Sequence, residues 1–287
     1  MSESETRNYS PWGDEVQTPI ARLIPKPYLG RVVLHVPHDS DHIPDSVVSQ
    51  YVLDIDKLRR ELIRMTDHRT HDLFGAGWGQ NQCVRAEVSR LVVDVERFVD
   101  DAQEPMAARG MGAVYMQTAN RAPLRRALSE SERNELLECY YFSHHARLKL
   151  LVDDALQRYG QCLVMDCHSF PSQPLPYELD QDTVRPDICI GTDGFHTPPQ
   201  LAATFIDTFA ATGFDVRVNS PFAGALVPIK HYQTDTRVSA IMVEVNRRLY
   251  MDEASGTMLA TFESISERIT GLCQQAISVG EKHCLMP

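Results

Sequence analysis

No apolar run in this chain approaches the roughly 20 residues that a membrane-spanning helix needs, so no segment reads as a membrane span. No CxxC pair occurs, and the seven cysteines are scattered and odd in number. That pattern fits a reducing cytoplasm better than a disulfide framework. No lysine- or arginine-rich run is present, and the net charge is −11. A general binder of nucleic acid or of anionic membrane is therefore excluded, although a local basic pocket for a small anion is not. The first 14 residues lack an apolar h-region, so a secretory signal is not expected and the cytoplasm is. Internal repeats, low-complexity tracts and a local HExxH zinc motif are also missing.

What is there alternates between helix and strand signals along 287 residues. Such alternation predicts one α/β domain with a largely parallel or mixed sheet. Residues 1–25 are polar with spaced prolines and read as an N-terminal arm; residues 26–287 read as the single domain. Residues 162–167 form a continuous apolar run ended by a polar cluster, the pattern of a strand buried on both faces. Asp166, His168 and Ser169 lie at its C-terminal end, where α/β folds gather functional residues. Residues 31–36 are a second such strand, followed by a proline-bounded loop with His38, Asp39, Asp41 and His42.

Residues 56–74 read as one helix, with Asp67 and His71 four apart on one face. Residues 83–88, 91–95 and 113–117 read as short strands. Arg109 sits in a glycine-flanked loop between the last two. Ser129 and Glu132 form a capping box that opens a helix running to Tyr159, with Gly160 as its C-cap and His144 and His145 on its surface. Further strands are expected at 187–191, 215–219 and 240–247, the last carrying Glu244 inside an apolar run. Thr197 is expected to cap one more helix, and 257–279 to close the chain as a helix. A carboxylate such as Glu244 needs a partner or a task, because an unpaired buried charge is costly.

Two strand-end histidines, His38 and His168, with an acid such as Asp67, are the donor types of an open zinc site. Such an ion lowers the pKa of water and polarises a carbonyl. Glu244 beside it would serve as general base, and arginine would hold a substrate carboxylate. These parts describe hydrolysis of the amide of a small anionic N-acyl compound.

Six stretches, in chain order, carry a resemblance. They are Val36-Pro-His-Asp-Ser-Asp-His-Ile-Pro44, Thr66-Asp-His-Arg-Thr-His-Asp-Leu-Phe74 and Arg90-Leu-Val-Val-Asp-Val-Glu-Arg97. Further on are Met165-Asp-Cys-His-Ser169, Asn219-Ser-Pro-Phe-Ala-Gly224 and Val243-Glu-Val-Asn-Arg-Arg-Leu-Tyr250. The set resembles the N-formylglutamate amidohydrolase family. The resemblance implies a three-layer α/β/α domain of the zinc carboxypeptidase and aspartoacylase-like kind, with a mixed, largely parallel sheet. It implies one divalent metal, Zn2+, held by His38, Asp67 and His168, with Asp41 as the alternative acid, and Glu244 as the catalytic carboxylate. Arg97 is the expected clamp for the substrate carboxylate, with Arg90 or Arg109 sharing the task. The implied reaction releases formate and glutamate from N-formyl-L-glutamate. The alternatives are a metallo-amidase or peptidase with another substrate, and a non-catalytic binding protein. Two departures stand out: Glu96 replaces the usual asparagine before Arg97, and Asp39-Ser40 replaces the common Ser-Gly. Glu96 would repel a substrate carboxylate unless it turns away or is paired.

Overall fold

The computed structural model describes residues 31–75, 78 and 82–284 of the protein. The expected N-terminal arm, and most of the glycine-rich stretch after residue 75, lie outside the described residues. Seven α-helices are described: α1 (Asp45–Val48), α2 (Ile55–Met65), α3 (Thr70–Gly75), α4 (Glu130–Leu136), α5 (Ser143–Tyr159), α6 (Pro199–Ala210) and α7 (Phe262–Cys284). The strands are β1 (Val32–Val36), β2 (Cys83–Arg85), β3 (Cys162–Phe170), β4 (Ile188–Gly191), β5 (Val216–Val218), β6 (Val238–Asn246), β7 (Met251–Asp252) and β8 (Thr257–Met258).

Six of the strands form one sheet in the order β2-β1-β3-β6-β4-β5. All neighbours pair in parallel except β4 with β6. The sheet is therefore mixed and largely parallel, as expected. Every residue of β1, β3 and β6 is buried. Their near-continuous apolar sequence follows from that: helices cover both faces.

Strand alternation divides the core into two layers. Leu34, Met165, Cys167, Ile241 and Val243 face α3, α6 and α7 through Leu73, Phe205, Phe209 and Ile269. Val33, Cys162, Val164 and Ala240 face α5 through Leu148, Val152 and Ala155. By the same alternation His35, Asp166, His168 and Glu244 fall on the α5 side, near the C-terminal strand ends. Register sets His35 opposite Asp166 and His168 opposite Glu244. The polar cluster is thus written into the strands as the continuation of an apolar face.

The capping box of Ser129 with Glu132 is present, and Gly160 closes α5 in the left-handed region. Between α4 and α5 the helix widens into a π-type segment, Leu137–Phe142.

Several expectations are corrected. The expected helix over 56–74 is two helices. Thr66 leaves α2 with extended backbone, and Arg69 takes a positive φ of 60°. The break lets the Asp67 N–H donate to the His38 carbonyl, at 2.9 Å. Asp67 and His71 accordingly share no helical face. Residues 91–95 are buried turns and not a strand, and of residues 113–117 only Gln117 pairs, in an isolated bridge with Pro123. Thr197 does not cap α6: its hydroxyl donates to the Ala240 carbonyl at 2.7 Å, tying the helix start to β6. The last helix starts at Phe262, because Thr257 and Met258 pair with β7. His144 is buried, not on the surface.

Candidate active site

A cavity of about 400 Å³ opens at the C-terminal ends of β3 and β6, lined by His38, Glu96, Arg97, His168, Tyr177 and Glu244 among others. Its floor is a web of imidazoles and carboxylates. His38 arrives from the loop after β1, and its Nε2–H donates to Asp94 Oδ1 at 2.8 Å. Asp94 is held in turn by Arg90 (2.8 Å) and by the Tyr115 hydroxyl. The His38 Nδ1 atom is buried with no hydrogen-bond partner, 3.7 Å from Asp67 Oδ2.

His168 lies across from His38, with ring centroids 5.2 Å apart. Its Nδ1 faces Asp67 Oδ2 at 3.1 Å. Its Nε2 faces Glu96 Oε1 at 3.0 Å and Asp166 Oδ1 at 3.1 Å. Carboxylates only accept, so both ring nitrogens are donors in this arrangement. Burial alone would lower the His168 pKa, but Glu96, Asp166 and Asp67 raise it well above the usual imidazole range. For His38, burial and Arg90 act downward, and Asp94, Glu96 and Asp67 outweigh them.

Asp67 resists burial through its partners. Arg247 Nη2 donates to Oδ1 at 2.8 Å, and the Ser169 N–H reaches Oδ2 at 3.3 Å. Burial pushes its pKa up, yet the histidine contacts and Arg247 hold it well below the usual carboxylate range. Glu244 is the opposite case. Its Oε2 is buried without a partner. Burial, with Asp67 and Glu96 nearby, lifts its pKa to about 8 against the pull of His168.

The chemistry of this donor set fits a divalent cation. His38, Glu96 and His168 each offer a ligand atom, all within 4.8 Å of one another; His35, Glu96 and Asp166 form a second such group. Several buried carboxylates beside two imidazoles need positive charge to be stable. A buried imidazole nitrogen with no partner is a further opening for an ion.

The family model described as N-formylglutamate amidohydrolase matches residues 30–251. The chain belongs to the N-formylglutamate amidohydrolase family. A curated relative, the N-formylglutamate deformylase of Pseudomonas putida, is 31% identical over 177 residues, which is 59% of this chain and 64% of the relative. The match therefore spans less than two thirds of that enzyme. The crystal structure of N-formylglutamate amidohydrolase from Ralstonia eutropha JMP134 aligns with a TM-score of 0.75 at 22% identity, over 91% of this chain and 96% of that one. A gene product of Agrobacterium tumefaciens aligns at 0.59 and 19% identity, over 88% and 92%. At those identities the two structures speak to the fold, and they support the three-layer architecture.

Of the expected family residues, His38, Asp67, His168, Glu244, Arg90 and Arg97 all line the cavity. Arg97 Nε is buried without a hydrogen bond and lies 3.8 Å from Asp94 Oδ2. Arg90 is committed to Asp94 and Tyr115. Arg109 differs from its expected place: it donates to the carbonyls of Tyr177 and Glu178 and does not line the cavity, so it shapes the cavity wall. Asp41 is exposed and also lies outside the lining. Glu96 also lines the cavity, and its carboxylate is paired with His168 Nε2 at 3.0 Å, not with an arginine.

Sequence reasoning missed the supporting shell: His35, Asp94, Tyr115, His144, and Arg247 as the partner of Asp67. His35 carried a readable signal, a lone histidine inside an otherwise apolar five-residue strand. Asp94, His144 and Arg247 reach His38, His35 and Asp67 across 56, 109 and 180 positions, and Tyr115 reaches Asp94 across 21. Among the described residues no helix is long and apolar enough to cross a membrane.

Proposed function

We propose that this chain is a metal-dependent hydrolase of the amide bond in a small anionic N-acyl amino acid, with N-formyl-L-glutamate as first choice. The observation that carries the reading is Glu244. It is a buried carboxylate with an unpartnered oxygen, in register with His168, on the wall of a cavity that also holds the Arg97 guanidinium.

His38 Nδ1, Asp67 Oδ2 and His168 Nδ1 are the atoms we assign to the ion, zinc by donor type. The opposite ring nitrogens support this, because carboxylates hold both of them, the usual outer support of a metal-binding imidazole. When bound, such an ion supplies an acidified water and a polarised amide carbonyl. The chain does the rest. Arg97 binds the substrate carboxylate and so fixes the amide against the floor of the cavity. Glu244 takes a proton from the attacking water at Oε2 as the new C–O bond forms. It then delivers that proton to the nitrogen as the C–N bond breaks, leaving formate and free glutamate. An ion held by His38, Asp67 and His168 would draw the Glu244 pKa down from about 8 and so favour the carboxylate form that accepts the proton.

A panel of N-formyl, N-acetyl and short peptidyl amino acids on metal-analysed protein tests the reading; fastest turnover of N-formyl-L-glutamate is expected. The same panel tests the clamp. Arg97→Lys keeps the charge and loses the two-pronged geometry. Its catalytic efficiency should fall by about 1–3 kcal/mol on the carboxylate substrate and much less on the matching amide-capped one. Equal losses on both would make Arg97 structural, a partner of Asp94 only.

A further inference from the structure

The proposed ion uses the Nδ1 side of His168. The Nε2 side carries a second set of donors that this reading leaves idle. His35 Nδ1 lies 2.7 Å from Asp166 Oδ1, and Asp166 Oδ1 lies 3.1 Å from His168 Nε2. Glu96 Oε1 lies 3.0 Å from His168 Nε2 and 3.8 Å from His35 Nδ1. His35, Glu96 and Asp166 each offer one atom within 4.8 Å of the others, and the His168 Nε2–H donates to the two carboxylates beside them. Ligands at zinc bond lengths of about 2.0–2.1 Å sit roughly 3.3 Å apart on a tetrahedron. The distances from His35 Nδ1 to Asp166 and Glu96, 2.7 and 3.8 Å, fall on either side of that spacing.

Two of these donors, His35 and Asp166, are also held from behind. His144 Nε2 lies 2.8 Å from His35 Nε2. That contact holds the His35 ring with its Nδ1 turned to Asp166. The Leu226 N–H donates to Asp166 Oδ2 at 2.9 Å, leaving Oδ1 turned to the cluster. Outer contacts of this kind orient ligands at built metal sites. His35 is fully buried, but Glu96 is partly exposed to the cavity and gives an ion its way in.

We propose that His35, Glu96 and Asp166 form a second divalent-cation position on the Nε2 side of His168, distinct from the one assigned to His38 and Asp67. Glu96 is the residue that makes it, since without it only one carboxylate and one imidazole remain.

The test is zinc binding by the full chain, read by equilibrium dialysis with metal analysis and by competition with a chromophoric chelator. Two zinc ions per chain are expected for the unaltered protein, one for Glu96→Gln, and one for Asp67→Asn. Glu96→Asp, which withdraws the carboxylate by one methylene, should weaken the second ion by more than about 10-fold while leaving the first bound. Melting curves of the metal-free variants check that each is folded. A single ion in the unaltered protein, released more than 100-fold more readily in Glu96→Gln and kept in Asp67→Asn, upholds this position and overturns the Asp67 set. An ion count and affinity unchanged in both Glu96 variants overturn the inference and leave the His38–Asp67–His168 reading standing. No zinc bound by the unaltered protein overturns both.

Discussion

Glu244→Gln should lower turnover by about 10²–10⁴-fold, the range for loss of a proton carrier, while the protein keeps its ion and its fold. Glutamine has the shape of glutamate but cannot carry the proton. The Oε2 atom makes no hydrogen bond that the change would break. The same residue predicts a stability effect of the opposite sign in metal-free protein. Its folded pKa is raised to about 8 from an ordinary 4.5, so the folded state holds more protons than the unfolded state between those values. Stability of the metal-free protein is then lost as pH rises through that window. Glu244→Gln removes the loss: its metal-free form should melt higher than the unaltered protein at pH 8 and nearly level with it at pH 4. Turnover within tenfold of normal would show that Glu244 is not the proton carrier, and equal melting at both pH values would show that burial does not strain it.

Arg247→Ala should cost about 3–5 kcal/mol of folding stability, the penalty for leaving a buried charge without its partner. Arg247 Nη2 donates to Asp67 Oδ1, Nη1 to the Arg64 carbonyl at 2.6 Å, and Nε to the Ser169 hydroxyl at 3.2 Å. One side chain thus pins the break between α2 and α3 to the end of β3. Urea unfolding measures the loss, and the double change with Asp67→Asn should recover part of it, because no charge is then stranded. A loss below 1 kcal/mol, or no recovery in the double variant, would mean that Asp67 draws its support from elsewhere.

How far the sequence could be read depended on whether a feature was local. The buried strands around Val33, Val164 and Val243 announced themselves as short apolar runs, and the polar residues ending or interrupting them marked the site. The capping box at Ser129 and the glycine at 160 were equally local. The α2–α3 break was not. Residues 56–74 keep a helical period, and only the reach of Asp67 to the His38 carbonyl, across the fold, breaks it. Residues 91–95 carry strand-prone valines, yet the Asp94 contacts to His38, Arg90 and Tyr115 shape them into turns. His144 looked like a surface residue because nothing in α5 reveals that His35 waits above it. Arg109 was expected only to share the clamp with Arg97. The carbonyls that claim Arg109 lie 68 and 69 positions away.

The central claim is metal-dependent release of formate, and titrating zinc back into chelator-stripped protein tests it most directly. With N-formyl-L-glutamate as substrate, formate release should vanish on stripping and return in step with zinc in the unaltered chain. In His168→Ala it should not return at any zinc concentration that loads the unaltered protein. Full formate release from stripped protein, or none from the zinc-loaded chain, would contradict the account.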